Sequence, residues 1–304
     1  MPRRRILVIK HGALGDIIQG LDGYASLRAG HKEDHLAVLT TPPFAGLFAA
    51  MPYFDEVLVD HRASPLNILA NWRIRQMFRQ SWDRIYDFQS SKRTARYFAH
   101  FVPAGVETVG KHKGASHPIP DMTGVNNRDR MVATARTGGC PETEAQTDWL
   151  VADTENARRR VVLIPGCSPA KPEKRWPAES YAALAQHLID AGFTPALVGT
   201  AVDAAVGRDI LARTPACENV IGKTSLVELA SLLKGAALVI GNDTGPVFMA
   251  ARLGAPTLML MSRHTDPEMS APHGKAAEWM RQDNLDAITP EAVMAQLRKM
   301  NSDL

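Results

Sequence analysis

"LVIGNDTGPVFMAARLGAPTLMLM", residues 238–261, decides the reading of the fold. Leu238 to Ile240 form an apolar run that suits a buried strand, and Gly241-Asn242-Asp243-Thr244-Gly245 reads as a turn. Pro246 then opens a short helix, and Pro256 to Met261 resume a strand-like run. Strand, glycine turn, helix and strand in that order make one unit of a parallel sheet with helical crossovers. The turn also suits an anion: Thr244 and the free amides at the helix start can bind phosphate oxygens, and Gly245 admits close backbone approach. Phosphate would repel Asp243, which leaves it to hold a sugar hydroxyl or to orient the loop. A capped turn with no ligand accounts for the same residues.

The alternation extends in both directions. Strands are expected at "RILVIK", "HLAVLTT", "EVLVD", "RIYDFQ" and "ETVG", with helices between them that include residues 15–28 and 92–101. Residues 111–127 read as a long loop, and "RDRMVATARTGG" as a helix. The strand pattern restarts at "RRRVVLIPG", followed by a helix over 177–191, strands at "PALVG", "ALVIG" and "PTLMLM", helices at "SLVELASLLKG" and "PVFMAARLG", and a closing helix at "TPEAVMAQLRKM". This is an α/β chain of two Rossmann-like domains. Its 304 residues and 45% hydrophobic content supply two cores of about 150 residues each.

Two further turns follow strands. "PGCSPAKPEKRWP", residues 165–177, offers the Ser168 hydroxyl and the cations Lys171, Lys174 and Arg175, or else a solvated basic turn with Trp176 stapling the next helix. "KHGALGDIIQG", residues 10–20, spaces its glycines as Gly12-x-x-Gly15, which is not the dinucleotide fingerprint. Its small residues leave room around Asp16, which is either a helix cap or a working carboxylate. "IGKTS", residues 221–225, fails as a phosphate loop because Cys217 stands where a glycine is needed, and "HKEDH", residues 31–35, reads as an exposed turn.

Composition excludes several classes. A net charge of +3 implies no chain-wide polyanion partner, so no nucleic acid. The three cysteines, Cys140, Cys167 and Cys217, lack metal or redox spacing and point to a reducing compartment. The N-terminal apolar run stops at Lys10, too short for a signal peptide or membrane span, so a soluble cytoplasmic protein is expected. Arg73, Arg75, Arg79, Arg84, Lys92, Arg93 and Arg96 cluster in the first half, either as solvated helix faces or as a basic surface for an anionic acceptor or lipid headgroups.

"ILVIKHGALGD", "KRWPAESYAALAQHL", "LVELASLLKGAALVIGNDTGP", "AARLGAPTLMLM" and "TDPEMSAPHG" occur in the order seen in glycosyltransferase family 9, the lipopolysaccharide heptosyltransferases, which the chain resembles over most of its length. The resemblance implies a GT-B fold, two Rossmann-like domains facing a central cleft. Residues 1–155 would bind the acceptor and 156–304 the nucleotide-sugar, with the last helix free to pack back on the first domain. It implies ADP-heptose as donor substrate, inversion at the anomeric carbon, an anionic glycolipid acceptor, and neither metal nor cofactor, with peripheral contact at the cytoplasmic face of the inner membrane. Asp16 matches the family's catalytic aspartate, Lys174 the lysine on the donor diphosphate, and Asp243-Thr244-Gly245 the donor loop. Ser168, Asp203, Thr224 and Pro246 join the donor side, and Lys10, Gly15, Arg93 and Arg96 the acceptor side.

The chain departs from the family pattern where Phe248 replaces a histidine, where Asp203 stands for a ribose-binding glutamate, and where Arg263 and His264 enter "MSRHTDP". These departures leave two alternatives: a GT-B transferase with another nucleotide-sugar or a protein acceptor, and a non-catalytic nucleotide-sugar-binding homologue.

Overall fold

The computed structural model describes residues 3–64, 66–151, 157–168 and 171–304. The chain divides into two compact units, Met1–Trp149 and Leu150–Leu304, a break just ahead of the boundary expected after residue 155.

The first unit is built on strands β1 (Arg5–Ile9), β2 (His35–Thr40), β3 (Glu56–Val59), β4 (Arg84–Asp87), β5 (Glu107–Gly110) and β6 (His117–Pro118), ordered β3-β2-β1-β4-β5-β6. The second has β7 (Ala157–Ile164), β8 (Thr194–Leu197), β9 (Glu218–Asn219), β10 (Ala236–Asn242), β11 (Thr257–Met261) and β12 (Ala277–Arg281), ordered β12-β11-β10-β7-β8-β9. Every pairing is parallel. Counted from its own first strand, each sheet has the doubly wound order 3-2-1-4-5-6. That order reverses direction between β1 and β4 and between β7 and β10, and ligands of such sheets bind at the carboxyl ends of the strands there. The quoted turn after β10 and the loops after β1 and β7 lie at these two places.

Burial explains which strands sequence patterning finds. Ile6 to Ile9 and Leu238 to Ile240 are fully buried, as central strands covered on both faces require. β9 and β12 are edge strands with mostly exposed residues, and β6 spans two residues within the expected loop, so none carries an apolar run. The helix expected over 15–28 is divided at Gly20 into Leu14–Gln19 and Leu21–Gly30. A Cβ at Gly20 would lie 2.6 Å from Met131 Sδ, so the glycine admits helix Asn127–Thr137.

In the second unit, helix Ala178–Asp190 ends in a Schellman motif: Gly192, at φ +81°, donates to Ile189 O at 2.8 Å and Phe193 to Leu188 O at 2.9 Å. At its other end Trp176 packs edge-on against Tyr181, ring centroids 4.8 Å apart, the hydrophobic staple read as one option for this residue. The last helix, Pro290–Met300, buries Val293, Met294 and Leu297 in this same core, so its apolar face is satisfied within the second unit. The three cysteines are buried and free. Among the described residues no helix is long and apolar enough to cross a membrane.

Candidate functional site

The chain leaves β1 into a buried Lys10 and His11, then turns at Gly12 with φ +138°. A Cβ at Gly12 would come within 2.6 Å of the Phe44 ring, so only glycine fits this turn. Asp16 is the third residue of the helix that follows. Its Oδ2 accepts from Ala13 N at 3.3 Å, a long capping bond, while Oδ1 accepts from Asn127 Nδ2 at 2.6 Å. Arg130, one turn along, donates to Asn127 Oδ1 and so fixes which end of the amide meets the carboxylate. Asp16 is half-buried on the wall of a cavity of about 540 Å³, together with His11, Thr41, Phe44, His61 and Arg62. A carboxylate on a cavity wall, oriented from another helix, is more than a cap.

Behind this wall lies a buried polar chain. His11 Nε2 sits 3.2 Å from Asp60 Oδ2, which accepts from Tyr97 Oη at 2.6 Å, and Asp60 Oδ1 accepts from Arg62 N at 2.7 Å. Burial works to raise the Asp60 carboxyl, but His11, Tyr97 and the Arg62 amide outweigh it and hold it down at about 2. Burial brings the Lys10 ammonium down to about 8, opposed by the charges of Asp16 and Asp87 and aided by Arg130. Expected on the acceptor side, Lys10 is only 2% exposed and donates to Phe88 O at 3.4 Å. Arg93 is also occupied, bonded to Arg62 O, Ala63 O and Tyr97 Oη. Arg96 is exposed, and Gly15 is half-buried with its carbonyl accepting from Gln19.

In the second unit the turn after β10 is pinned by Asn242, which is fully buried. Its Oδ1 accepts from Trp176 N at 3.0 Å and Tyr181 Oη at 3.2 Å, and its Nδ2 donates to Pro165 O at 2.9 Å. One amide thus joins the ends of β7 and β10. Beyond it Asp243 forms an ion pair with Lys174 and accepts from Thr265 Oγ1 at 2.9 Å, so the expected diphosphate lysine has a fixed partner. Helix Gly245–Arg252 begins at Thr244, whose hydroxyl makes no cap bond. The free amides expected there are fewer than the turn suggested: Pro246 has none, and Val247 and Phe248 donate to Thr244 O at 3.1 and 3.4 Å.

The remaining donor-side residues are spread more widely. Ser168 is exposed. Asp203 is buried, with Oδ2 accepting from Thr200 N at 2.9 Å and Thr200 Oγ1 at 3.0 Å and Oδ1 lying 3.7 Å from Arg175, so it caps a turn. Thr224 is half-buried just ahead of Ser225, which caps helix Leu226–Gly235 with Glu228. Phe248 is buried in its helix, whereas Arg263 and His264 are exposed. His31 corrects the reading of "HKEDH" as an exposed turn: it is buried, bonded to Asp34 at 2.8 Å and Tyr86 at 3.0 Å, and holds helix Leu21–Gly30 to β4.

Asn127, Asp60, Asn242 and Thr265 were not singled out in the sequence. Asn242 carried a signal, a polar residue ending an apolar strand; Asn127 lies 111 residues from Asp16 and carried none.

The sequence model of Glycosyltransferase family 9 (heptosyltransferase) matches residues 130–296. "Lipopolysaccharide core heptosyltransferase OpsX" of Haemophilus influenzae is 23% identical, over 99% of this chain and 89% of its own. "Lipopolysaccharide heptosyltransferase 2" of Salmonella typhimurium is 25% identical, over 98% and 99%. The solved structure of the E. coli ADP-heptose lps heptosyltransferase II shares the fold at TM-score 0.79, with 22% identity over 97% of this chain and 98% of that one.

Proposed function

The chain belongs to glycosyltransferase family 9, and from that premise we propose that it moves heptose from ADP-heptose to a lipopolysaccharide core acceptor with inversion at the anomeric carbon. The observation that carries this reading is the Asp16 carboxylate, held by Asn127 on the wall of a cavity at the carboxyl end of β1.

Asp16 takes the proton from the acceptor hydroxyl as that oxygen attacks the anomeric carbon, a general-base contribution of about 10²- to 10⁴-fold. The bond from the anomeric carbon to the diphosphate breaks as the new one forms, and ADP departs with the bonding pair. Lys174 stabilises the charge that grows on the diphosphate, aimed by Asp243, which Thr265 holds in turn. Thr244 and the Gly245 backbone add donors at the start of their helix.

On this reading the reaction draws on no metal or cofactor beside the donor, and no nucleic acid takes part. The enzyme works from the cytoplasmic side, meeting its glycolipid acceptor by peripheral contact with the membrane. The test is transfer of heptose from ADP-heptose to heptose-free lipopolysaccharide. Product with ADP-heptose supports the reading; product only with a UDP- or GDP-sugar overturns the donor assignment, and none with any donor overturns the enzyme reading.

A further inference from the structure

Six large hydrophobic side chains are strongly exposed among the described residues, and four of them, Leu66, Ile68, Leu69 and Trp72, crowd into seven consecutive positions. Single exposed apolar residues are ordinary, but a contiguous group is not. Leu66 precedes helix Ile68–Phe78, which carries the other three and whose N-cap Asn67 accepts from Ala70 N at 3.0 Å. That helix has two distinct faces. Ile74 and Phe78 are buried in the core with Leu7, Ile9 and Tyr97. Ile68, Trp72, Arg75 and Arg79, spaced i, i+4, i+7 and i+11, form an exposed stripe on the other side.

The charge of this segment is one-sided. Between Asp60 and Asp83 the chain has no acidic residue, yet it carries Arg62, Arg73, Arg75 and Arg79. We propose that residues 66–79 dock on an anionic lipid bilayer, with Leu66, Ile68, Leu69 and Trp72 entering the boundary between headgroups and acyl chains and Arg73, Arg75 and Arg79 meeting lipid phosphates. Tryptophan favours that boundary, and arginine stems lie along apolar surface while their heads stay wet. A second copy of the chain fits worse, because it would bring together two surfaces that both carry arginines and have no acidic residue between Asp60 and Asp83 to pair with them.

Along the chain, the segment also follows closely on residues that line the Asp16 cavity. His61 and Arg62 line that cavity, and Arg93 ties the carbonyls of Arg62 and Ala63, so the docking segment begins four residues along the chain from the cavity wall. An acceptor anchored by its lipid is thereby delivered beside Asp16. This last step rests on the glycolipid acceptor proposed above, while binding to vesicles does not.

The test is co-sedimentation of the full chain with phosphatidylglycerol-containing vesicles and with phosphatidylcholine vesicles. The wild type is expected to sediment with the anionic vesicles only, less so as salt rises. Ile68→Ser/Trp72→Ser is expected to stay in solution, and Arg75→Gln and Arg79→Gln each to weaken binding about fivefold. All change exposed side chains, and unchanged melting temperatures check that they fold. Wild type that ignores anionic vesicles, apolar variants that bind as well as wild type, or a wild-type dimer that Ile68→Ser/Trp72→Ser makes monomeric each overturn the proposal. Transfer to a delipidated acceptor should be unchanged in these variants. Loss of transfer in every protein, wild type included, refutes the enzyme reading and leaves the vesicle result standing.

Discussion

Asn127 donates its side-chain amide to Asp16 Oδ1 across 2.6 Å, tying the start of helix Asn127–Thr137 to the turn that follows β1. A hydrogen bond to a charged partner contributes about 1.5–3 kcal/mol, enough to fix the carboxylate proposed as the general base. Asn127→Ala is therefore expected to lower kcat roughly ten- to a hundredfold with ADP affinity unchanged, measured by steady-state kinetics beside calorimetry. An unchanged kcat removes Asn127 from the account.

Lys174 and Asp243 form a pair whose members differ in their use to the donor. Lys174→Met removes the cation proposed to meet the diphosphate and should weaken ADP binding by roughly tenfold or more. Asp243→Asn keeps that cation and loosens only its aim, so its effect on ADP binding should be smaller. Titration calorimetry with ADP ranks the two, and the reverse order contradicts the assignment.

Asn242 is expected to matter most for stability. Its replacement by alanine leaves the Trp176 amide and the Pro165 carbonyl short of a buried partner, while the Tyr181 hydroxyl keeps Ile164 O at 3.1 Å. Each such group costs about 1–3 kcal/mol, so Asn242→Ala should lower unfolding free energy by several kcal/mol in urea. A loss below about 1 kcal/mol would mean that water replaces the amide.

Asp60 sets an acid-side prediction. Its carboxyl falls from the ordinary 3.8 to about 2 in the fold, against the upward pull of burial. A depressed carboxyl contributes stability that is present above the unfolded value and lost as pH falls through the folded one. The size is about 2 kcal/mol, and the window runs from about pH 4 down to about pH 2. The stability gap between wild type and Asp60→Asn should shrink by that amount on acidification, measured by urea unfolding. A gap constant with pH contradicts it.

Much of the fold was legible because its central strands are continuous apolar runs: Ile6 to Ile9 and Leu238 to Ile240 need no context to be read as buried. β6, β9 and β12 were missed because edge strands bury too little to leave a pattern. Turn positions such as Asp16, Lys174 and Thr244 were visible because glycine and proline mark the ends of strands. What those turns touch was not visible. Asn127 and Thr265 meet Asp16 and Asp243 only after the chain has folded, and local spacing holds no trace of such partners. Buried residues misled in the other direction: Lys10 and His31 look like surface residues in sequence, yet each is enclosed and bonded.

The most direct measurement compares heptosyl transfer and ADP binding in wild type and Asp16→Asn. The amide keeps the side chain's size and gives up the base. Transfer should fall at least a hundredfold while ADP raises the melting temperature of both proteins alike. Transfer that survives in Asp16→Asn at near wild-type rate would contradict Asp16 as the group that accepts the acceptor's proton.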